Sequence, residues 1–519
     1  MKPTKYDPKK IEKKWQKEWK KKKVFEAKET SGLPKKFVMI EFPYPSGAGL
    51  HMGHMRPFVA GDVVSKYWKL QGKNTMYPIG WDAFGLPAEN YAIKNKVHPS
   101  VSTKKNISNA KRQLEAWGTG FDWSREIDTT DPAYYKWTQK IFLEFFKAGL
   151  AYEKEGEINW CPKDKTGLAN EEVIDGKCER CGTEVEKKNL RQWYLKITDY
   201  AQKLLDGLQD LPEWPEHVKL QQENWIGRSE GAEIAFKIKD KKFETENEVT
   251  VFTTRADTLF GATYLVLAPE HPLVDSYAQS QEEVKTYIEN CKKKSEEERT
   301  NDKKEKTGVE IKGLKAINPA SGEEIPVWIA DYVLGNYGTG AIMAVPAHDD
   351  RDLQFARKFN LPIKPVVVRT HILEETQTPG LTDVLIKSCI ESGFAILGDG
   401  LLINSKQFDG YSTDNARKEI IKYVGGKIVT KYKLRDWVFS RQRYWGEPIP
   451  LIHCKRHGVV AVPDKDLPVK LPSVKNYEPT GTGESPLAAI ESWVKTPCPQ
   501  CLEESKKTKY LVFDFDGVL

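Results

Sequence analysis

A strand, a turn and a helix are predicted near the start of the chain, within residues 36–70. Mostly apolar residues at 36–45 end in Pro43-Tyr44-Pro45, which predicts a buried strand that enters a stiff turn. Gly47 and Gly49 permit a tight turn, and from about Gly53 apolar residues follow a helical spacing at Met55, Phe58, Val59, Val63 and Tyr67. This arrangement favours an anion site, because unpaired N–H groups and the helix dipole both attract phosphate.

Two histidines lie at the predicted helix N-terminus. His51 and His54 are three residues apart and therefore share one face of the first turn. Imidazoles at such a position can donate hydrogen bonds to a phosphoryl group as negative charge builds up during displacement. Two ordinary surface histidines would give the same short pattern, so the pair alone does not decide.

The pattern changes between Trp225 and about Gly425. Strand-like apolar runs alternate there with glycine-rich turns, and the runs are EIAFKI, VTVFTT, TYLVLAP, PVWIADYVL and AIMAVP. A mixed, β-rich domain is predicted for this segment.

A basic helix is predicted over Lys9–Lys23. Ile11, Trp15 and Trp19 recur every four residues and form one apolar stripe among lysines. The helix is either a surface helix docked by that stripe or a segment that contacts phosphates directly.

Composition limits the class of protein. The 519 residues are 39% hydrophobic and 30% charged, which predicts a globular chain of roughly two to four domains. No apolar run approaches the roughly 18 residues of a membrane span, and the first residues, MKPTKY, do not resemble a signal peptide. We therefore expect a cytoplasmic protein without a membrane partner. The net charge of +6 is too small to indicate nucleic acid by itself.

The eight cysteines favour metal binding over disulfides. Cys454 and His457, together with Cys498 and Cys501, form a CxxH…CxxC set, whose two tight turns predict a tetrahedral zinc site. The two remaining cysteines outside any cluster, Cys291 and Cys389, are expected to be packing residues.

A second cysteine cluster lies earlier in the chain. Cys161, Cys178 and Cys181 offer three thiolates, and the residue three positions after Cys161 is Asp164. Either Asp164 or another group completes a metal site, or the segment folds without metal.

Eight motifs in order resemble the leucyl branch of the bacterial class I aminoacyl-tRNA synthetases. FPYPSGAGLHMGH is similar to the HIGH signature of that branch, and further matches extend to about residue 503. They are GKNTMYPIGWDAFGLPAEN, FDWSREIDT, INWCPKDKTGLANEEVIDGKCERCG, NWIGRSEG, TTRADTLFG, YGTGAIMAVPAHDDRD and LRDWVFSRQRYWGEPIP. The resemblance implies ATP-dependent activation of leucine and its transfer to tRNA(Leu), with Mg²⁺ on the phosphates.

The resemblance also implies roles for single residues. Gly53, His51 and His54 would bind ATP, and the two histidines and Asp82 would serve catalysis. Phe42, Tyr44 and Asp82 would line the leucine pocket, where a carboxylate suits an ammonium group and aromatic walls suit an aliphatic side chain.

An editing site is implied by two further motifs. A synthetase for a small aliphatic amino acid needs a second sieve, because one methylene is worth only about 1–3 kcal/mol of discrimination. By resemblance Thr258 would exclude leucine from the hydrolytic pocket and Asp352 would anchor the α-amino group. The other implied pocket residues are Thr253, Thr254, Arg255, Asp257, His348 and Asp349. Ala256 stands where the family usually has proline, which makes the turn less rigid.

The expected architecture is α/β, a Rossmann-like class I synthetase core with an inserted β-rich editing domain and zinc-binding modules. We expect the first half of the catalytic domain at 1–224, with a zinc knuckle at about 155–190. The editing domain follows at 225–425, the catalytic domain resumes with a zinc module at 426–503, and a divergent tail occupies 504–519.

The end of the chain departs from the family pattern. Neither a KMSKS loop nor an anticodon-binding bundle follows Cys501, and YLVFDFDGVL instead resembles the first strand and loop of haloacid-dehalogenase phosphatases, with Asp514 and Asp516 at their nucleophile and acid/base positions. This predicts an N-terminal fragment of a ligase, which is a gene fusion or frameshift remnant, one half of a split enzyme with a separate C-terminal synthetase subunit, or the product of an incomplete gene model. A stand-alone hydrolase of mischarged tRNA and a catalytically silent tRNA-binding fragment remain alternatives.

Overall fold

The computed structural model forms two compact units, one from residues 1–196 with 436–519 and one from 197–435. The structure describes residues 7–47, 49–169, 172–174, 176–240, 247–291, 294, 299, 305–335, 338–369, 381–502, 504–507 and 511–512. Asp514 and Asp516 lie outside these residues. After the architecture expected from the sequence, we call the first the catalytic unit and the second the inserted unit.

The described α-helices are numbered in chain order. They are α1 (Pro8–Lys22), α2 (Met52–Leu70), α3 (Leu86–Asn95), α4 (Pro99–Trp117), α5 (Pro132–Lys147), α6 (Ala201–Gly207), α7 (Glu216–Ile226), α8 (Pro272–Ala278), α9 (Glu282–Cys291), α10 (Asp350–Phe359), α11 (Leu381–Ser392), α12 (Thr413–Tyr423) and α13 (Glu491–Val494).

The strands are numbered in the same way. They are β1 (Lys35–Phe37), β2 (Asn74–Met76), β3 (Gly80–Trp81), β4 (Ile127–Asp128), β5 (Ala151–Cys161), β6 (Thr166–Leu168), β7 (Val173–Ile174), β8 (Lys177–Cys178), β9 (Glu186–Leu195), β10 (Ser229–Asp240), β11 (Asn247–Thr253), β12 (Tyr264–Leu267), β13 (Gly308–Ile317), β14 (Glu324–Ala330), β15 (Ala341–Ala344), β16 (Val367–Val368), β17 (Leu401–Leu402), β18 (Lys427–Lys431), β19 (Trp437–Val438), β20 (Ser440–Arg441), β21 (Glu447–Pro448), β22 (Leu451–Cys454), β23 (Gly458–Ala461), β24 (Lys495–Pro497), β25 (Glu504–Lys507) and β26 (Leu511–Val512).

The catalytic unit begins with a βαβ arrangement. Strands β1 and β2 pair in parallel, with α2 as the connection between them. The buried Phe58 of α2 packs in one cluster with Tyr77, whose hydroxyl donates to the Phe58 carbonyl at 2.8 Å. The strand is shorter than the predicted 36–45 and is exposed rather than buried, because the chain leaves the sheet before Pro43 and Pro45 and, within the described part of the chain, β1 is covered on one edge only, by β2. The α/β class expected from the sequence is confirmed.

The catalytic unit is built from two separated parts of the chain. The second part returns at β19, which pairs antiparallel with β9, and continues into residues that contact α3. There Glu89, with 0% exposure, accepts hydrogen bonds from Arg443 Nε at 3.0 Å and from the N–H groups of Tyr444 and Trp445 at 3.2 and 2.7 Å.

The inserted unit is built on a seven-stranded sheet. Its strand order is β11-β10-β13-β14-β12-β15, and β18 pairs with β10. Each predicted strand-like run contains a strand, although residues 331–334 of the run PVWIADYVL lie outside β14. Because β18 completes the sheet, the compact unit extends beyond the 225–425 segment.

Within the described parts of the chain, no helix combines the length and the apolar character that crossing a bilayer requires.

We expect Glu89→Ala to destabilise the catalytic unit by about 3–5 kcal/mol, because it leaves the Arg443 guanidinium buried without its carboxylate. Urea unfolding monitored by circular dichroism measures the change. The control is Glu144→Ala, which removes an exposed partner of Lys140 and Lys147 and should cost less than about 1 kcal/mol. Equal losses of unfolding free energy in the two variants would show that the buried pair stabilises the fold no more than an exposed pair does.

Candidate functional site

The N-terminus of α2 presents the two predicted histidines in one defined state. His51 caps the helix, and its Nδ1 accepts from the Gly53 N–H at 3.1 Å, while His54 Nδ1 accepts from the His51 N–H at 3.2 Å. A ring nitrogen that accepts an N–H carries no proton, so Nε2 is the nitrogen of each ring that can donate. The rings lie side by side with centroids 3.9 Å apart.

Burial and the neighbouring His51 lower the pKa of His54, which favours the neutral ring. The Nε2 atoms of the two rings take no part in these bonds and can donate to an anion, whereas the N–H groups of Gly53 and His54 are already bonded to His51. A Cβ on Gly53 would lie 2.8 Å from the His51 ring, so the close approach of that ring requires glycine. This end of α2 can receive an anion.

The three residues predicted for the leucine pocket lie close to one another. The Asp82 N–H donates to the Pro43 carbonyl at 3.3 Å, which brings Asp82 beside the segment that carries Phe42 and Tyr44. Asp82 is 4% exposed and Tyr44 is 40% exposed. The Phe42 ring lies against Gly80, where a Cβ would be 2.1 Å away.

Both cysteine clusters are assembled, each with its ligand atoms within 4.8 Å of one another. In the later cluster, Cys454 Sγ lies 3.7 Å from Cys501 Sγ and 3.7 Å from His457 Nδ1, and Cys498 Sγ lies 3.8 Å from His457 Nδ1. Two Zn–S bonds of 2.3 Å at a tetrahedral angle place sulfurs about 3.8 Å apart. The spacing therefore fits zinc.

The earlier cluster includes Asp164, which the sequence left open. Asp164 Oδ2 lies 3.5 Å from Cys161 Sγ and 3.4 Å from Cys178 Sγ, and the sulfurs of Cys161 and Cys181 are 3.4 Å apart. A tetrahedral zinc with one oxygen and three sulfur ligands gives O–S separations of about 3.5 Å. Three thiolates and a carboxylate are a suitable donor set for this metal.

The two editing motifs meet at one edge of the inserted sheet. Strands β12 and β15 run antiparallel with Tyr264 opposite Ala344. The residues that precede β12, 253–261, therefore lie at the same end as those that follow β15, 345–352. This register accounts for the proximity of two motifs about 90 residues apart in sequence.

Asp257 holds the first motif in place. It has 0% side-chain exposure and contacts Arg255 Nη2 at 2.7 Å and Arg417 Nε at 3.1 Å. Thr253 Oγ1 accepts from the Arg255 N–H at 3.0 Å, and Thr258 Oγ1 donates to the Arg255 carbonyl at 2.9 Å. Asp257 is thus engaged with two arginines. The two other predicted threonines of this motif differ in burial: Thr254 is exposed, whereas Thr258 is 2% exposed.

Asp352, the last residue of the second motif, is buried. Its Oδ2 accepts from the Val345 N–H at 2.8 Å and its Oδ1 from the Tyr332 hydroxyl at 3.2 Å. Burial and the nearby Asp349 raise the pKa of Asp352 to about 8. A cationic group bound here would favour the charged carboxylate.

The two remaining predicted residues of this motif have structural contacts. Asp349 caps α10 by accepting from the N–H groups of Arg351 and Asp352 at 2.8 and 3.2 Å. His348 Nδ1 lies 2.9 Å from the Ile396 carbonyl, and its Nε2 accepts from the N–H groups of residues 366 and 367. Because both ring nitrogens are engaged, His348 fixes loops around the edge.

Sequence patterns did not indicate Arg417 or Tyr332. Arg417 lies about 160 residues from Asp257, and Tyr332 lies at the end of a strand-like run where it reads as a packing residue. Neither has a local pattern that identifies its partner.

The chain matches two protein families along its length. Residues 14–232 match the tRNA synthetases class I (I, L, M and V), and residues 223–425 match the leucyl-tRNA synthetase editing domain.

Curated relatives and a solved structure agree with these matches. The leucine–tRNA ligase of Alkaliphilus oremlandii is 53% identical over 96% of this chain and 60% of its own length, and that of Elusimicrobium minutum is 52% identical over 96% and 57%. A crystal structure of Agrobacterium radiobacter K84 agnB2 LeuRS in a ternary complex with tRNA and LeuAMS is 36% identical, with a TM-score of 0.83 over 98% of this chain and 58% of that one.

The fold and the helix N-terminal histidines define a class I aminoacyl-tRNA synthetase. Within that class the chain belongs to the leucyl-tRNA synthetases. It spans about 60% of the length of the curated relatives that it matches.

We expect the neutral state of His348 to appear in the pH dependence of unfolding. Burial lowers its pKa from 6.5 to about 4, so the neutral ring stabilises the fold above pH 6.5 and this contribution is lost as the pH falls from 6.5 towards 4. From pH 7.5 to 4.5 the wild type should lose roughly 2 kcal/mol more than His348→Gln, whose amide does not titrate. Urea titrations at both pH values measure this, and parallel losses would show that His348 is not buried as a neutral ring.

Proposed function

We propose that this chain carries the ATP-binding half-site and the editing site of a leucine–tRNA ligase. The observation that carries the proposal is the side-by-side placement of the His51 and His54 rings at the N-terminus of α2, with each Nδ1 turned to a backbone N–H. We expect the reaction in the cytoplasm, where the cysteine clusters stay reduced.

In the proposed reaction the leucine carboxylate attacks the α-phosphate of ATP and pyrophosphate leaves, which gives leucyl-adenylate. A hydroxyl at the tRNA 3′ end then takes the leucyl group and AMP leaves. His51 and His54 would donate to phosphate oxygens as charge builds on them, with Gly53 allowing close approach of the backbone. Asp82, with Phe42 and Tyr44, would hold leucine by its ammonium group and side chain. Mg²⁺ would neutralise the phosphates.

We propose the editing pocket at the edge formed by 253–258 and 345–352. Asp352 would bind the α-ammonium group of the misacylated residue, because its oxygens are already oriented by Val345 and Tyr332. Thr258 would limit the size of the side chain that enters, since its hydroxyl is fixed on the Arg255 carbonyl. Asp257 would act through Arg255, which it positions.

The proposed domain division follows from these sites. The catalytic domain would occupy 1–224 and 426–503, with a zinc knuckle at about 155–190, and the editing domain 225–425.

The catalytic unit also exposes an apolar face that needs a partner. Val63, Tyr67 and Leu70 are 61%, 59% and 86% exposed on one stripe of α2, and Phe37 on β1 is 54% exposed. Among the described strands β1 pairs only with β2, which leaves its other edge open. A large exposed apolar stripe beside an open strand edge marks an interaction surface.

We infer that this face is covered by the part of the catalytic domain that the longer relatives carry, either in the same polypeptide or as a separate C-terminal subunit. All curated relatives named above are ligases, which favours this view over a stand-alone hydrolase.

The editing sieve predicts a gain of activity in one variant. Thr258→Ala should hydrolyse correctly charged leucyl-tRNA(Leu), because the loss of side-chain bulk admits leucine. Thr258→Val keeps the volume without the hydroxyl and should leave leucyl-tRNA intact, as the wild type does. Deacylation of labelled leucyl-tRNA measures both. If Thr258→Ala does not hydrolyse it, Thr258 does not control entry.

We propose zinc at both clusters, so metal analysis should give about two equivalents per chain. Cys498→Ser and Asp164→Ala should each lose about one equivalent, whereas Cys389→Ser, at an isolated buried cysteine, should lose none. Loss of both equivalents in either cluster variant would contradict two independent sites. Retention of two in Asp164→Ala would exclude Asp164 as a ligand.

Leucine-dependent pyrophosphate exchange tests the ligase assignment. We compare the exchange rate of the chain alone with that of the chain supplemented with the remaining segment of a close relative. The rate of the chain alone should be roughly 100-fold or more lower, because losing preorganised contacts to the departing pyrophosphate, which we expect the added segment to complete, typically costs that much. Val63→Asp should abolish the supplement's effect by placing a charge in the interface. Val101→Asp, at a similarly exposed valine on α4, should retain it. Full exchange by the chain alone would refute the need for a partner.

A further inference from the structure

Helix α1 presents a stripe of lysines away from its docked side. Lys10, Lys14, Lys17 and Lys21 are spaced i, i+4, i+7 and i+11, so they share one face of the helix, and all four are exposed. We call these four residues the lysine stripe.

The opposite side of α1 is attached to the catalytic unit near the end of α4. Gln16 Nε2 donates to the Ala116 carbonyl at 3.2 Å, and Lys20 Nζ lies 3.2 Å from the Glu115 carboxylate. The Trp19 ring meets Phe25 edge to face at 5.5 Å between centroids. These contacts fix the orientation of the helix and leave the lysine stripe towards solvent.

The lysines on the two sides differ in their partners. Lys20 and Lys23 pair with Glu115 and Glu26, each at 3.2 Å. Within the described residues, Lys14, Lys17 and Lys21 form no ion pair, and Lys10 has only the exposed Asp7 at 3.9 Å.

Mutual repulsion opposes the clustering of these lysines on one face. Like charges three or four residues apart repel one another, and Lys10 in the first turn opposes the helix dipole, although Asp7 lies at the N-cap and Lys21 in the last turn favours the dipole. A surface that holds Lys14, Lys17 and Lys21 close together without an ion pair among the described residues is suited to a polyanion.

We propose that the lysine stripe binds the phosphate backbone of RNA, and, resting on the proposed function, that this RNA is tRNA. From Lys10 to Lys21 the stripe extends about 16 Å along the helix, enough to follow several phosphates of one strand. Lysine ammonium groups bind phosphates as point charges, so the contact is independent of base sequence.

Two features favour RNA over an anionic membrane. A helix that lies in a membrane needs a free apolar face, whereas Trp19 of the apolar stripe is engaged with Phe25. Trp15, which is 48% exposed, can stack on an unpaired base.

The test compares two double variants of equal charge on the same helix. Lys17→Gln/Lys21→Gln removes two members of the lysine stripe, and Lys20→Gln/Lys23→Gln removes two paired lysines of the docked side. Binding of uncharged tRNA(Leu) and of a non-cognate tRNA is measured by fluorescence anisotropy between about 50 and 200 mM salt. Thermal melts of both variants confirm that they fold.

The stripe variant should lose roughly tenfold in affinity for both tRNAs, and the slope of log K against log salt should fall by about 2. The docked-side variant should change the slope by less than half as much. Equal losses in both variants would overturn the proposal, because only net charge would then matter. Unchanged tRNA binding with loss of binding to phosphatidylglycerol vesicles would assign the stripe to a membrane and also overturn it.

Hydrolysis of mischarged tRNA separates this proposal from the proposed function. If the wild type binds tRNA through the stripe but does not hydrolyse the ester, the editing assignment fails and the stripe stands. If the stripe variant hydrolyses with an unchanged half-saturating concentration, the stripe fails and the editing assignment stands.

Discussion

The carboxylate of Glu89 joins two parts of the chain that are separated by more than 350 residues. It accepts from the Arg443 guanidinium and from the two backbone N–H groups that follow it, in an interior with no access to water. A buried charge tolerates such a position only with full pairing, so residues 443–445 must return to α3 whatever lies between. The inserted unit, 197–435, contains 239 residues and interrupts the catalytic unit in sequence. The Glu89 contact and the pairing of β9 with β19 join the two parts of the catalytic unit that precede and follow this insertion.

The same segment connects the fold to the earlier cysteine cluster. Arg443 donates to the Asp164 carbonyl, and Asn90, next to Glu89 on α3, donates to Asp164 Oδ1 at 3.2 Å. The aspartate that faces Cys161 and Cys178 is therefore oriented by the residues that hold the two chain segments together. Hydrogen bonds that support a carboxylate in this way fix its orientation towards the two thiols.

In the inserted unit the equivalent constraint is the register of β12 and β15. With Tyr264 opposite Ala344, the residues before one strand and after the other must emerge at the same edge. Arg417 and Tyr332 then hold Asp257 and Asp352 from elements distant in sequence. The proximity of 253–261 and 345–352 is thus a consequence of sheet pairing, supported by side chains that local patterns do not reveal.

The sequence by itself determined the helix that follows the glycine turn and the ligand types at both cysteine clusters, because these depend on periodicity and on spacing over a few residues. The resemblance of its motifs to a known family supplied the class of fold and the candidate site residues. Tertiary structure decided that His348 is held by three backbone groups, that Asp164 faces the thiols, and that α2 keeps an exposed apolar stripe. These features depend on contacts between residues far apart in the chain, and no local pattern of residues records which distant group will arrive beside them.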